Sequence, residues 1–120
     1  MGTVGDSPAG RITIGDDVVA EVVGLTVLEC YGVVGMAGKR VVHGVARLLG
    51  RDSTAAGVEV ERGADGDVSV AVHVVMENGL NLAEVSESLR TRVGYEVERL
   101  CGIAVTAVAV HIHDVRREST

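Results

Sequence analysis

The sequence predicts an α/β fold of the α+β type: a two-layer sandwich with two main helices packed on one face of a mixed β-sheet. Three observations predict it. Two long segments repeat apolar residues at three- and four-residue steps, the spacing of a one-sided helix. Shorter segments alternate apolar and polar residues, the period of a half-buried strand. The core material is aliphatic: hydrophobic residues make up 47% of the 120, Phe and Trp are absent, and Tyr31 and Tyr95 are the only aromatics. β-Branched side chains suit a pleated surface, and a chain of this length can bury one core without staples.

The elements follow in order. Residues 1–9 contain the only proline, Pro8, and are read as a flexible leader. One domain is expected over 10–115, with a charged tail at 116–120. Arg11–Ile14 alternates as a short strand. Asp16 and Asp17 then open a helix, because acidic side chains favour the positive end of the helix dipole. Val18, Val19, Val22, Leu25 and Leu28 are its expected inward face. Val33–Met36 is a short strand, and Val41–Leu49 reads as a short helix. Val58–Arg62 and Asp67–Met76 alternate again, and Asp65-Gly66 between them is a hairpin turn signal.

A second, longer helix begins after Asn81, a good N-cap, with Glu84 three residues on as in a capping box. Its inward stripe is Val85, Leu89, Val93, Val97 and Leu100, and Gly102 ends it in a left-handed turn. Ile103–His113 is the last strand. The strand–helix–strand step before it is long enough for a right-handed crossover, which makes its two strands parallel.

Composition also excludes functions. A net charge of −6 argues against a nucleic-acid binder, which relies on clustered Lys and Arg. No apolar run approaches the roughly 20 residues needed to span a bilayer, and the start of the chain lacks the pattern of a signal peptide. A cytoplasmic location without direct membrane insertion is expected. Cys30 and Cys101 form no C-x-x-C pair. Gly32-Val33-Val34-Gly35 has the G-x-x-G form of an RNA-clamping loop, but it carries no basic residue between its glycines. No nucleophile elbow, P-loop or dinucleotide fingerprint occurs, so no catalytic residue and no cofactor is assigned.

Two constellations remain. His111 and His113 share one face of the last strand. His73 lies on the matching face of the strand before it. Three convergent imidazoles would be candidate metal ligands, which supports an alternative reading as a small metal- or ligand-binding regulator. The other constellation is a surface. Ala71, His73, Val75, Ala107, Ala109 and His111 stand at outward positions where strands usually carry charge. Separately, Lys39, Arg40, Arg47 and Arg51 form a basic segment that reads as a docking patch for an acidic partner. A weakly apolar face of this kind calls for a cover, so the expected activity is non-enzymatic docking of a protein partner or a second copy.

Several stretches carry a family resemblance: Gly10-Arg11-Ile12-Thr13-Ile14, Val27-Leu28-Glu29-Cys30-Tyr31-Gly32-Val33-Val34-Gly35-Met36 and Leu48-Leu49-Gly50-Arg51. Further on come Gly57-Val58-Glu59-Val60, Glu77-Asn78-Gly79-Leu80-Asn81-Leu82 and Leu100-Cys101-Gly102-Ile103-Ala104-Val105, continued by Val108, Val110, His111 and Ile112. In order and spacing the chain resembles the alkaline-shock, or envelope-stress-response, proteins of Gram-positive bacteria. It departs from them at Gly15-Asp16, where a Ser-Pro helix start is common, and at Ala104, Ala107 and Ala109, which replace residues that are often polar. The resemblance implies a non-enzymatic cytoplasmic scaffold tied to cell-envelope homeostasis. It also implies self-association and a place at the inner face of the membrane through a membrane-anchored partner.

Overall fold

The computed structural model describes residues 2–7, 10–38, 48–49 and 56–117. The elements in order are β1 (Gly2–Ser7), β2 (Gly10–Ile14), α1 (Asp16–Leu28), β3 (Val33–Ala37) and β4 (Leu48–Leu49). After them come β5 (Val58–Arg62), β6 (Val68–Glu77), α2 (Leu82–Cys101) and β7 (Val105–Arg116). The fold is α+β, as expected.

β6 organises the sheet. Its whole length pairs in parallel with β7, from Val68↔Val105 to Glu77↔Arg116. Its other edge is divided. β5 takes Val68 to Val72 and β3 takes Val74 to Met76, both antiparallel. The junction lies at Gly57, where an added Cβ would stand 2.7 Å from the Ala37 carbonyl oxygen and 3.1 Å from that of His73. Only a residue without a side chain lets two strands share one edge so closely. β4 extends the sheet beyond β3. The β5–β6 hairpin turns at Asp65-Gly66, with Gly66 at φ 83° and the Gly63 N–H donating to the Asp67 carbonyl at 2.8 Å.

Period two then divides β6 between two environments. Val68, Val70, Val72, Val74 and Met76 are buried in one cluster with both helices. Each such Val contributes on the order of 1.5–3 kcal/mol by leaving water. α2 is built as its sequence demands. The Asn81 side chain accepts a hydrogen bond from the Glu84 N–H at 3.2 Å. At the other end Gly102, at φ 69°, closes the helix with its N–H on the Glu98 carbonyl at 2.9 Å. Val85, Leu89, Val93 and Val97 face inward, and Cys101 continues their four-residue step. Leu100, expected on that stripe, is exposed instead.

α1 corrects the sequence reading further. Its buried residues are Val19, Ala20, Val23, Gly24, Thr26 and Val27, whereas Val18 and Leu25 are 51% and 45% exposed. Apolar side chains occur all round this helix, so its periodicity does not single out one face. Thr26 is tolerated inside because its hydroxyl donates to the Val22 carbonyl at 2.8 Å. Arg62 anchors the start of α1, donating to Asp16 at 2.7 Å and to the Ile14 carbonyl at 2.8 Å.

Two other expectations change. Residues 2–7 of the expected flexible leader form β1, which pairs antiparallel with β2. Within the expected helix over 41–49, Leu48 and Leu49 are strand, paired with Ala37 and Met36, and 41–47 lie outside the described residues.

Candidate functional site: the open face of the sheet

The second face of β6 carries Ser69, Ala71, His73, Val75 and Glu77. The parallel register sets Ser69 beside Ala107, Ala71 beside Ala109 and His73 beside His111. Both helices lie on the other side, so these side chains line a surface the helices leave open. Glu59 and Glu61 of β5 border it, and a shallow groove of about 370 Å3 runs over Ser69, Ala71, Ala107 and Ala109 between them. Ala107, Ala109 and His111 are exposed, and Ala71 and His73 are partly so. Val75 departs from the expectation. It is 0% exposed and packs with Val34 and Ala37, so it belongs to a small second core and not to the surface. The β3 segment that shares the β6 edge brings those two residues over it. Lys39, Arg40, Arg47 and Arg51 lie outside the described residues.

The histidines do come together. The His73 and His111 rings stack with centroids 4.7 Å apart and planes 12° apart. His73 Nδ1 lies 2.7 Å from His113 Nε2, and His73 Nε2 lies 2.6 Å from Glu59 Oε1. A carboxylate only accepts, so His73 Nε2 carries the proton toward Glu59. A neutral His73 then accepts at Nδ1 from the Nε2–H of His113. A protonated His73 donates at both nitrogens. The three residues thus form one hydrogen-bonded line from β5 across β6 to β7.

That geometry corrects the metal reading. A metal needs lone pairs of several ligands aimed at one point. Here both His73 nitrogens are engaged with side chains, and the His111 ring lies flat against the His73 ring. Among the described residues no group of three or more His, Cys, Asp or Glu side chains is arranged to hold a metal ion. The acid that meets His73 is Glu59, which the sequence reading did not single out. The hairpin contained the missed signal. Its turn sets Arg62 opposite Val68 and therefore Glu59 opposite Ala71, one diagonal step from His73.

The electrostatics follow from crowding. Burial lowers the pKa of His113 below the ordinary imidazole value, and positive charge on His73 and His111 lowers it further. Burial raises both thiols, Cys30 and Cys101, and both are free. A second concavity of about 740 Å3 lies along the outer side of α2 beside Glu87, Arg92 and Tyr95. Two of its charges are paired, Glu87 with Arg90 at 3.2 Å and Arg92 with Glu29 at 3.4 Å. No helix among the described residues is long and apolar enough to cross a membrane.

The chain is 31% identical over 108 residues to the uncharacterized protein YloU of Bacillus subtilis, covering 89% of each chain. It is 36% identical over 108 residues to the uncharacterized protein Spy1614 of Streptococcus pyogenes, covering 89% of this chain and 88% of that one. It is 28% identical over 107 residues to a stress response regulator gls24 homolog of S. pyogenes, of which it spans 59%. No solved structure matches. Residues 5–117 match the alkaline shock protein 23 family, described by a cell envelope-related function, and the chain belongs to that family.

Proposed function

We propose that this protein is a non-enzymatic docking module of the cell-envelope stress response, which binds a protein partner through the open face of its sheet. One observation carries the reading. The face over Ser69, Ala71, Ala107 and Ala109 is floored by small side chains, left open by the helices and bordered by Glu59 and Glu61. Solvent-facing strands usually carry long charged or hydroxylated side chains there. Small side chains let another backbone or helix approach closely, and apolar burial supplies affinity while rim charges set orientation. The acidic rim favours a partner segment that is small or apolar at its centre and basic at its flanks. Membership of an envelope-related family and similarity to a stress response regulator homolog support the cellular setting. A partner anchored in the membrane would bring the module to the inner face of the membrane.

The test is site-directed photocrosslinking in the native cell. A photoreactive residue at Ala71 or Ala107 should yield one discrete protein adduct, and the same residue at Tyr95 on the outer side of α2 should not. Adducts from Tyr95 alone, or none from the sheet face, would refute the reading.

A further inference from the structure

Asparagine followed by glycine is a chemically labile pair. The next backbone nitrogen can reach the side-chain carbonyl carbon, and glycine puts no Cβ in its way. The chain has two asparagines and no glutamine, and only Asn78 is followed by glycine. The fold protects the comparable positions. At Asn81 the side-chain oxygen accepts from the Glu84 N–H at 3.2 Å, and the next residue is Leu82 at the start of α2. At Asp65-Gly66, which could close the same ring, the Gly66 N–H donates to the Gly63 carbonyl at 3.2 Å, so the nucleophile is occupied. The turn from β6 into α2 leaves Asn78 and Gly79 exposed. Among the described residues the Gly79 N–H donates no hydrogen bond and the Asn78 carboxamide makes none. Gly79 stands at φ 95° with nothing within 4 Å of where a Cβ would be, so space is open for ring closure.

We propose that Asn78 is a self-modifying site, converted to aspartate and isoaspartate in the folded protein. The Gly79 nitrogen loses its proton to water or hydroxide and bonds to the Asn78 side-chain carbonyl carbon. That carbon expels its amino group as ammonia, which closes a five-membered succinimide. Water then opens the ring at one of its two carbonyls. Opening at the side-chain carbonyl leaves aspartate. Opening at the main-chain carbonyl leaves isoaspartate, whose chain runs on through Cγ. The net change consumes a water and releases an ammonia. Its place in the fold gives the product a consequence, because the turn is pinned on both sides. The Glu77 N–H donates to the Gly32 carbonyl at 2.8 Å, and the Asn78 N–H fastens the end of β7 through the Arg116 carbonyl at 2.9 Å. Leu80 packs against the main core, and Asn81 caps α2. Isoaspartate inserts an extra atom into the chain between those anchors, so one of them gives way. The modification therefore loosens the seam of β6, β7 and α2 as the protein ages, whichever protein occupies the open face.

The full chain is aged in mildly alkaline buffer, folded and, in parallel, unfolded in guanidinium. Intact mass should rise in both by the difference between an acid and an amide, and peptide mapping should place the change at Asn78. A purified isoaspartyl methyltransferase with labelled S-adenosylmethionine should label the aged wild type. It should leave aged Asn78→Gln unlabelled, since the longer side chain would have to close a six-membered ring. Asn78→Asp carries the new charge on an ordinary backbone and should melt with the wild type. The isoaspartyl form purified from aged protein should melt at least about 2 °C below both, the shift expected for one lost hydrogen bond or cap in a chain of this size. A folded chain that keeps its mass while the unfolded chain converts, a change mapped to Asn81, or labelling that persists in Asn78→Gln would overturn the site. An isoaspartyl form as stable as Asn78→Asp would overturn its consequence.

Discussion

The two faces of β6 are written in the same ten residues and could hardly differ more. Toward the helices stand Val68, Val70, Val72, Val74 and Met76, each nearly or completely out of water. Away from them stand Ser69, Ala71 and His73, partly in contact with water beside exposed Ala107, Ala109 and His111. The first face is a core because two helices can be laid on it. The second is small without being charged, so it is shaped for contact but has no cover from the helices. The lesson concerns alternation: period two separates a face that must be filled from a face that is free to be used. Where the free face meets extra chain it is recruited into packing, as Val75 is by Val34 and Ala37.

The contrast can be broken experimentally. The largest effect belongs to the filled face. Leu89 is fully buried in the helix layer above it, and Leu89→Ala should cost about 2–5 kcal/mol in urea denaturation, the range for such cavities. A smaller loss would mean that the layer collapses around the gap. Next is the junction that divides the β6 edge. Gly57→Ala places a methyl group 2.7 Å from a backbone oxygen that cannot swing away. The expected cost is about 1–3 kcal/mol by overpacking, read from the same denaturation curves. Asn81→Ala removes the α2 cap and should cost about 1 kcal/mol, measurable as a lower Tm.

The open face should respond to pH and barely to truncation. His113 has a lower pKa folded than its unperturbed 6.5, so the unfolded chain binds the proton first. Stability should therefore fall as pH drops below that unperturbed value, and the fall should level off below the folded value. His113→Gln should flatten this step in a plot of Tm against pH, and an unchanged step would assign it to other groups. The smallest effect is expected for Ala107→Ser, which should change stability by less than about 0.5 kcal/mol, as exposed substitutions usually do. A larger change would show that the face is packed within the single chain.

Much of this was legible in the residues. The N-cap at Asn81, the stop at Gly102, the turn at Asp65-Gly66 and the alternation of β6 each act over a few residues, so local sequence specifies them. The stripe of α2 was legible because charged residues mark its outer side. α1 was not, since Val18, Val22 and Leu25 are as apolar as Val19, Val23 and Val27, and burial chose between equals. The histidine line was half legible. Spacing placed His111 and His113 together, and the hydrogen bond to Glu59 required knowing which strand lies on the other side of β6.

Composition and periodicity alone decided that this chain folds as helices over a Val-rich sheet, because side-chain direction is a local property of the backbone. Tertiary structure decided which side of α1 is buried, that β3 and β5 share one edge of β6, and that two imidazoles and a carboxylate meet in a line with a third imidazole stacked on it, rather than around a metal. Those outcomes depend on residues far apart in the chain arriving at the same place, and no local pattern contains that distance.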